Sequence, residues 1–185
     1  MKVPYKYLVK YINKKPHIDD LSDRLFQLGH EHEICNDVFD FEFTPNRGDC
    51  LSINGLLRDL NVFYDVSFNV DIYREEIPIL PFEFRNLAED SCKNISFLKI
   101  DIDKLPKNYK EFLEDYFVDL GVKKINFFTD ISNYLSYETG QPTHCYDSSK
   151  IIAPITLCYS DEDLEFDSLL DKKIKIHEGD LVFKD

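Results

Sequence analysis

The apolar positions of the first 65 residues change period as the chain advances. Ile18, Leu21, Leu25 and Leu28 recur at the spacing of one helix face, with Asp19 and Asp20 in the first turn and Gly29 placed to end it. Before them, Pro4 to Ile12 reads as a short helix opened by a proline, whose missing N–H is no loss in a first turn. From Asp37 to Phe43 the period drops to two. Phe39, Phe41 and Phe43 share one face and Val38, Asp40 and Glu42 the other, which predicts a half-buried strand. Thr44-Pro45-Asn46-Arg47-Gly48 breaks that strand, and Asp49 is available to N-cap a helix carrying Leu51, Leu56, Leu57 and Leu60. These elements make a small α+β unit ending near Asp65.

The second half alternates helix and strand. Val66 to Leu87 contains Pro78 and Pro81 and reads as a junction between domains. Asn94 to Ile102 predicts a strand. Pro106 opens a helix bearing Phe112, Leu113, Tyr116, Phe117 and Leu120, stopped by Gly121. A further helix runs from Phe127 to Thr139, capped by Asn126 and ended by Gly140, with Pro142 just beyond. Ile151–Tyr159, Lys173–His177 and Leu181–Phe183 predict strands. The expected fold class is α+β, with helices packed on a mainly antiparallel set of strands. The sequence shows no internal repeat. A strand this close to the last residue is expected to have partners beyond it, because an open edge is a liability.

Composition narrows the setting. Of 185 residues, 43% are hydrophobic and 14% aromatic, so a core can form, and fifteen Phe and eleven Tyr carry much of it. No apolar run approaches the ~20 residues of a membrane helix, and Met1-Lys2-Val3-Pro4-Tyr5 lacks the apolar core of a secretion signal. The expected location is the cytoplasm. The five cysteines are scattered without a Cys-x-x-Cys pair, which argues against a disulfide framework or a thiolate zinc site. The formal net charge of −13 argues against independent nucleic-acid binding, which needs Lys and Arg to neutralise phosphates.

Candidate chemistry gathers between Asn126 and Asp147. Ser132 and Asn133 are small polar residues inside a helix, poor choices there unless they face a partner. Gly140-Gln141-Pro142 then turns the chain and delivers His144 onto a loop. A hydroxyl, an amide and an imidazole could thus converge on one pocket. Equally, Ser132 and Asn133 could satisfy nearby backbone groups while His144 packs at a turn. The residues alone leave both readings open. His30-Glu31-His32, with Cys35 nearby, could offer two imidazoles to a metal, but without a second ligand cluster it reads better as a solvated strand edge. The acidic run Asp161 to Asp167 reads as a solvated loop, since it lacks the Gly and terminal Glu of a calcium loop. No glycine loop suited to phosphate is present.

The segment resembles the editing-domain motif of the beta subunit of bacterial-type phenylalanine–tRNA ligases. That motif has an Asn, a Val-Asp-Val-Thr-Asn-Tyr-like helix, then Gly-Gln-Pro, a hydrophobic residue and His-Ala-Phe-Asp. Asn126, Asp130, Asn133, Tyr134, Gly140, Gln141, Pro142, His144 and Asp147 stand in matching positions. Ser132 replaces a Thr, Cys145 an Ala and Tyr146 a Phe. Independently, Thr44-Pro45-Asn46-Arg47-Gly48-Asp49-Cys50, with Gly55 and Arg58, resembles the family's Thr-Pro-Asn-Arg-x-Asp-Cys signature. The opening residues and Glu178 to Phe183 also fit, in the family's order.

The resemblance implies a small N-terminal domain over 1–70 and the first part of an editing domain over 71–185. It implies a share in charging phenylalanine tRNA and in hydrolysing tyrosine wrongly esterified to it. Asn133 and His144 would be catalytic, and Ser132, Gln141 and Pro142 would touch the substrate. A derived binding or assembly module without activity is the alternative. The implied partners are the alpha subunit and phenylalanine tRNA. No cofactor is expected in this segment, since ATP and magnesium belong to the complete enzyme. Two departures stand out. Glu33 runs almost directly into Asp37, so an oligonucleotide-binding insert found in many relatives is missing. The glycine-rich strand and glutamate that complete the family's pocket would follow Asp185.

Overall fold

A computed structural model describes residues 1–67, 75–168 and 172–185. The chain forms two compact units, Met1–Tyr73 with Lys104–Cys145, and Arg74–Asp103 with Tyr146–Asp185. This differs from a single division near residue 70, because the helices after Lys104 pack with the N-terminal elements.

In the first unit, β1 (Lys2–Pro4) leads into α1 (Tyr5–Val9), and α2 (Ile18–Gln27) is followed by β2 (Glu31–Cys35) and β3 (Val38–Glu42). The sheet order is β1-β3-β2, antiparallel throughout, with Val3 opposite Phe39 and Ile34 opposite Phe39 on the other side. The expected alternation is realised: Phe39 and Phe41 are buried and Asp40 and Glu42 exposed. The N-terminal segment is a strand and then one short helix, because Met1 and Lys2 pair with β3 before Pro4 opens the turn. β2 and β3 turn through Asn36 and Asp37, both in the left-handed region at φ 50° and 61°, which short polar side chains tolerate.

A 3-10 turn (Gly48–Cys50) then precedes α3 (Ile53–Leu60). The cap of α3 is Ser52, whose hydroxyl accepts the Gly55 N–H at 3.0 Å, and not Asp49. Asp49 is drawn instead toward Arg47 and Arg58. Leu56, Leu57 and Leu60 are fully buried against Leu8, Leu21 and Leu25. Later in the chain, α4 (Glu111–Leu120) and α5 (Phe127–Thr139) build a second cluster around Leu113, Tyr116 and Phe117, which Tyr137 of α5 links to this core. Lys110, not Pro106, stands at the N-cap of α4. Tyr137 of α5 packs on the N-terminal core and donates to the Lys2 carbonyl at 3.0 Å. The Tyr11 hydroxyl donates to Glu138 at 3.1 Å, and Tyr7 to Asp119 at 2.9 Å.

The second unit holds β4 (Phe84–Asn86), β5 (Ile155–Tyr159) and β8 (Leu181–Lys184) in the order β4-β5-β8, parallel and then antiparallel. A separate antiparallel ribbon joins β6 (Leu164–Asp167) to β7 (Lys173–Ile176). The α+β class holds. Three details differ from the sequence reading. Asn94–Ile102 forms no strand, and Leu98 and Ile100 stand exposed. β5 is shorter than expected, since Pro154 lacks the N–H a ladder needs at its start. Half of the acidic run is β6, where Glu165 and Asp167 alternate with Leu164 and Phe166. Part of the expected junction, residues 68–74, lies outside the described residues. Among the described residues no helix is long and apolar enough to cross a membrane.

Because the Ser52 side chain caps α3, Ser52→Ala is expected to lower stability by about 1 kcal/mol. Urea unfolding followed by circular dichroism measures it, and an unchanged midpoint would show that the cap is dispensable.

Candidate functional site

α5 is held at both ends. At its start Asn126 accepts the Thr129 N–H at 3.0 Å. At its end Gly140 adopts φ 76°, where a Cβ would be strained, and that Cβ would also stand 3.2 Å from the Ser52 hydroxyl. Within the first turn Asp130 is fully buried. Its carboxylate accepts the Tyr109 hydroxyl at 2.6 Å and the Ile125 N–H at 2.9 Å. The carboxylate, together with burial, pushes the Tyr109 hydroxyl up to about 12, so it stays a donor. A buried carboxylate with two donors near a helix N-terminus is well placed electrostatically. The matching position was noticed in sequence, but this anchoring role was not legible there because Tyr109 lies 21 residues away.

The turn after α5 folds back onto the helix. Ser132 donates its hydroxyl proton to the Thr143 carbonyl, and the Ser132 and Thr143 hydroxyls lie 2.9 Å apart. Asn133 and His144 are the next residues along the chain from this pair, so the tether brings their backbones together as well. Thr143 stands where the resemblance has a hydrophobic residue. Its role was missed in sequence for that reason. Thr139 helps to shape the turn, accepting the Gln141 N–H at 3.2 Å and donating to the Leu135 carbonyl at 2.6 Å.

Asn133, Gln141, Pro142 and His144 are all exposed, and Ser132 is half-buried. The structure thus brings Ser132 to Thr143, with Gln141 and Pro142 in the turn between them, and leaves Asn133 and His144 exposed one residue beyond each partner. Two depressions mark the surface elsewhere, one between β6 and β7 and one between α2 and Phe63-Tyr64. Neither is lined by the five site residues.

The two N-terminal histidines are not a solvated edge. His30 is buried, at 1% exposure, with Nε2 3.0 Å from Asp59. His32 stacks on Phe26 at 4.3 Å and reaches the Ser22 hydroxyl at 2.8 Å. His30, Cys50 and Asp59 place possible ligand atoms within 4.8 Å of one another. Arg47 already stands among them, 2.7 Å from the Cys50 sulfur and paired with Asp59, and Arg58 pairs with Asp59 at 2.9 Å. Two guanidinium charges beside the cluster disfavour a metal cation there. Burial pushes the Cys50 thiol up to about 12, so it stays protonated beside the two arginines. The cluster is an ion-pair network tying the turn after β3 to α3.

Residues 96–185 match the B3/4 domain family, a stretch that includes α4, α5 and the candidate site. Over most of its length the chain is similar to beta subunits of phenylalanine–tRNA ligase. It is 30% identical to that of Ehrlichia ruminantium (strain Gardel) over 178 residues, 91% of this chain and 21% of the relative. With that of Rickettsia bellii the identity is 30% over 183 residues, 80% and 20% of the two chains. With that of Psychrobacter arcticus it is 28% over 159 residues, 81% and 19%. The resemblance read from the sequence is borne out, and the chain is a relative of these beta subunits. It spans about a fifth of the length of the curated relatives it matches.

Asp130→Ala leaves a buried hydroxyl and a buried N–H without their acceptor and is expected to cost about 1–3 kcal/mol. Asn133→Ala, at an exposed position, should stay within about 0.5 kcal/mol of the parent in the same urea titration. The ion-pair network makes stability fall in acid. Burial alone would raise the Asp59 carboxyl, but Arg47 and Arg58 outweigh it and bring it down to about 2. His30 is lowered by burial, which Asp59 offsets only in part. For both groups the unfolded chain binds more protons as pH falls, so both contributions are present at neutral pH and are lost on acidification. The loss starts as pH drops below the ordinary histidine value of 6.5 and continues through the ordinary Asp value of 3.8 toward about 2. Unfolding midpoints measured across that range should decline less steeply in His30→Gln than in the parent.

Proposed function

We propose that this chain contributes one wall of a hydrolytic editing site in a phenylalanine–tRNA ligase beta subunit, acting on tyrosine wrongly esterified to phenylalanine tRNA. The observation that supports the reading is the Ser132–Thr143 tether, which folds the turn after α5 back onto the helix within the B3/4 match, with Asn133 and His144 exposed one residue beyond each partner. Editing answers a chemical need. A pocket that accepts phenylalanine rejects an added hydroxyl poorly, whereas a second site built around that hydroxyl can discriminate strongly.

In this reading Asn133 orients the ester carbonyl and His144 orients the attacking water and takes up its proton. The water oxygen bonds to the carbonyl carbon, the bond to the ribose oxygen breaks, and that oxygen leaves protonated. Tyrosine and uncharged tRNA are the products. Ser132 holds the substrate, and Gln141 and Pro142 fix the turn that presents His144. Charging of phenylalanine tRNA, with ATP and magnesium, is assigned to the complete enzyme with its alpha subunit. The chain's charge of −13 means that phosphate contacts come from elsewhere in that assembly.

Asn133 and His144 are open to solvent, so water screens any charge stabilisation they offer. The 185-residue chain alone is therefore expected to deacylate tyrosyl-tRNA slowly, within about a hundredfold of the rate without protein. His144→Ala should remove what acceleration there is. Turnover by the chain that matches an intact ligase would overturn the one-wall reading. The exposure of Asn133 and His144 also favours a second reading, a binding or assembly module without hydrolysis. Deacylation unaffected by His144→Ala would favour it.

A further inference from the structure

We infer that Ser52 is a positioning residue for the editing site: through its contact with Gly140 it aims the turn that presents His144. This rests on the editing reading and deepens it, by adding a residue from the start of α3.

Both sides of the contact are held from behind. Ser52 is buried, and its hydroxyl accepts the Gly55 N–H at 3.0 Å, which fixes the side chain on the first turn of α3. The turn before it is tied to α3 by Arg47 on Asp59 and by Arg58 on Asp49. On the other side, the last turn of α5 is anchored to the N-terminal elements. Tyr137 donates to the Lys2 carbonyl at 3.0 Å, and Tyr11 donates to Glu138 at 3.1 Å.

The two helix ends meet at Gly140. A Cβ there would stand 3.2 Å from Ser52 Oγ and 3.3 Å from Ser52 Cβ, inside ordinary van der Waals contact. Gly140 is also where the chain leaves α5, at a left-handed φ of 76°. A small change in the dihedrals of such a pivot swings every residue beyond it. Gln141 and Pro142 carry the chain from the pivot to Thr143, which meets Ser132. The turn therefore has a buried support at its start and an exposed one at its end. Exposed hydroxyls rotate to suit their partner and accept several approaches. The buried support decides which approach is taken, and so where His144 emerges. Catalysis is sensitive to such placement, because a small misalignment set far from the chemistry slows a reaction strongly.

Two substitutions separate this role from helix capping. Glycine caps a helix nearly as well as serine, whereas alanine caps it poorly. Glycine also removes both Ser52 atoms that meet Gly140, whereas alanine keeps the Cβ. In the full chain, residual dipolar couplings of the Thr143 and His144 N–H bonds report the direction of the turn. Ser52→Gly is expected to change those couplings and to lower tyrosyl-tRNA deacylation to the level of His144→Ala, with an unfolding midpoint close to the parent's. Ser52→Ala, the conservative variant for this contact, is expected to lower the midpoint yet keep the parent's couplings. If Ser52→Gly leaves the couplings or the deacylation unchanged, the positioning inference is overturned. It is overturned as well if Ser52→Ala alters the couplings as much as Ser52→Gly does, since the cap alone would then explain the effect. In both cases the editing reading stands, provided His144→Ala slows deacylation. If His144→Ala deacylates at the parent rate, the editing reading falls and the inference falls with it.

Discussion

The position of the candidate site depends on a close approach between two helix ends. The hydroxyl that caps α3, on Ser52, lies where a side chain on Gly140 would have to go. Only a residue without a Cβ and comfortable at positive φ can close α5 against that cap. Gly55 makes a similar demand one turn later, since a Cβ there would collide with the Asp49 carbonyl. The backbone of the signature turn, the start of α3 and the end of α5 are therefore packed without intervening side chains. The turn bearing His144 leaves from this junction, so the direction in which the site faces is set by α3.

The elements with strong local periodicity were readable in advance. α2, β3 and α5 carry their caps, face and period in contiguous residues, and each formed nearly as expected. What the sequence hid was contact between distant residues. Asp49 is as good an N-cap as Ser52 by type, and only the pull of Arg47 and Arg58 removes it from that role. His30 looked exposed because its neighbours alternate with charge, yet Asp59 gives the imidazole a buried partner 29 residues on. Asn94–Ile102 has the composition of a strand, but β composition reports fit to a neighbouring surface, and here only Phe97 packs on β4, against Phe84, while Leu98 and Ile100 stand exposed. At the site, Ser132, Asn133 and His144 were legible as residue types. The contact between Ser132 and Thr143 was not, because Thr143 departs from the motif that drew attention there.

Electrostatics divides the chain's labour. The chain is strongly acidic, and several of its basic residues are held in pairs: Arg47 and Arg58 on Asp49 and Asp59, Lys6 on Asp115 and Asp119, Lys124 on Glu114. Such pairs organise turns and helix contacts more than they stabilise, because most are at least partly exposed.

The discontinuity of the first unit bears on the order in which the protein can fold. Its core takes Tyr137 from α5, and the tyrosine hydroxyls of α1 and of the turn after it bond to carboxylates of α4 and α5. During synthesis the first seventy residues emerge long before those helices, with the segment Arg74–Asp103 made in between. Domains that form as the chain appears generally do so from local contacts. Here the sheet and α2–α3 can assemble early, but one side of the core must wait for α5. A nascent chain paused between the two would expose the part of the aromatic surface that Tyr137 of α5 later covers.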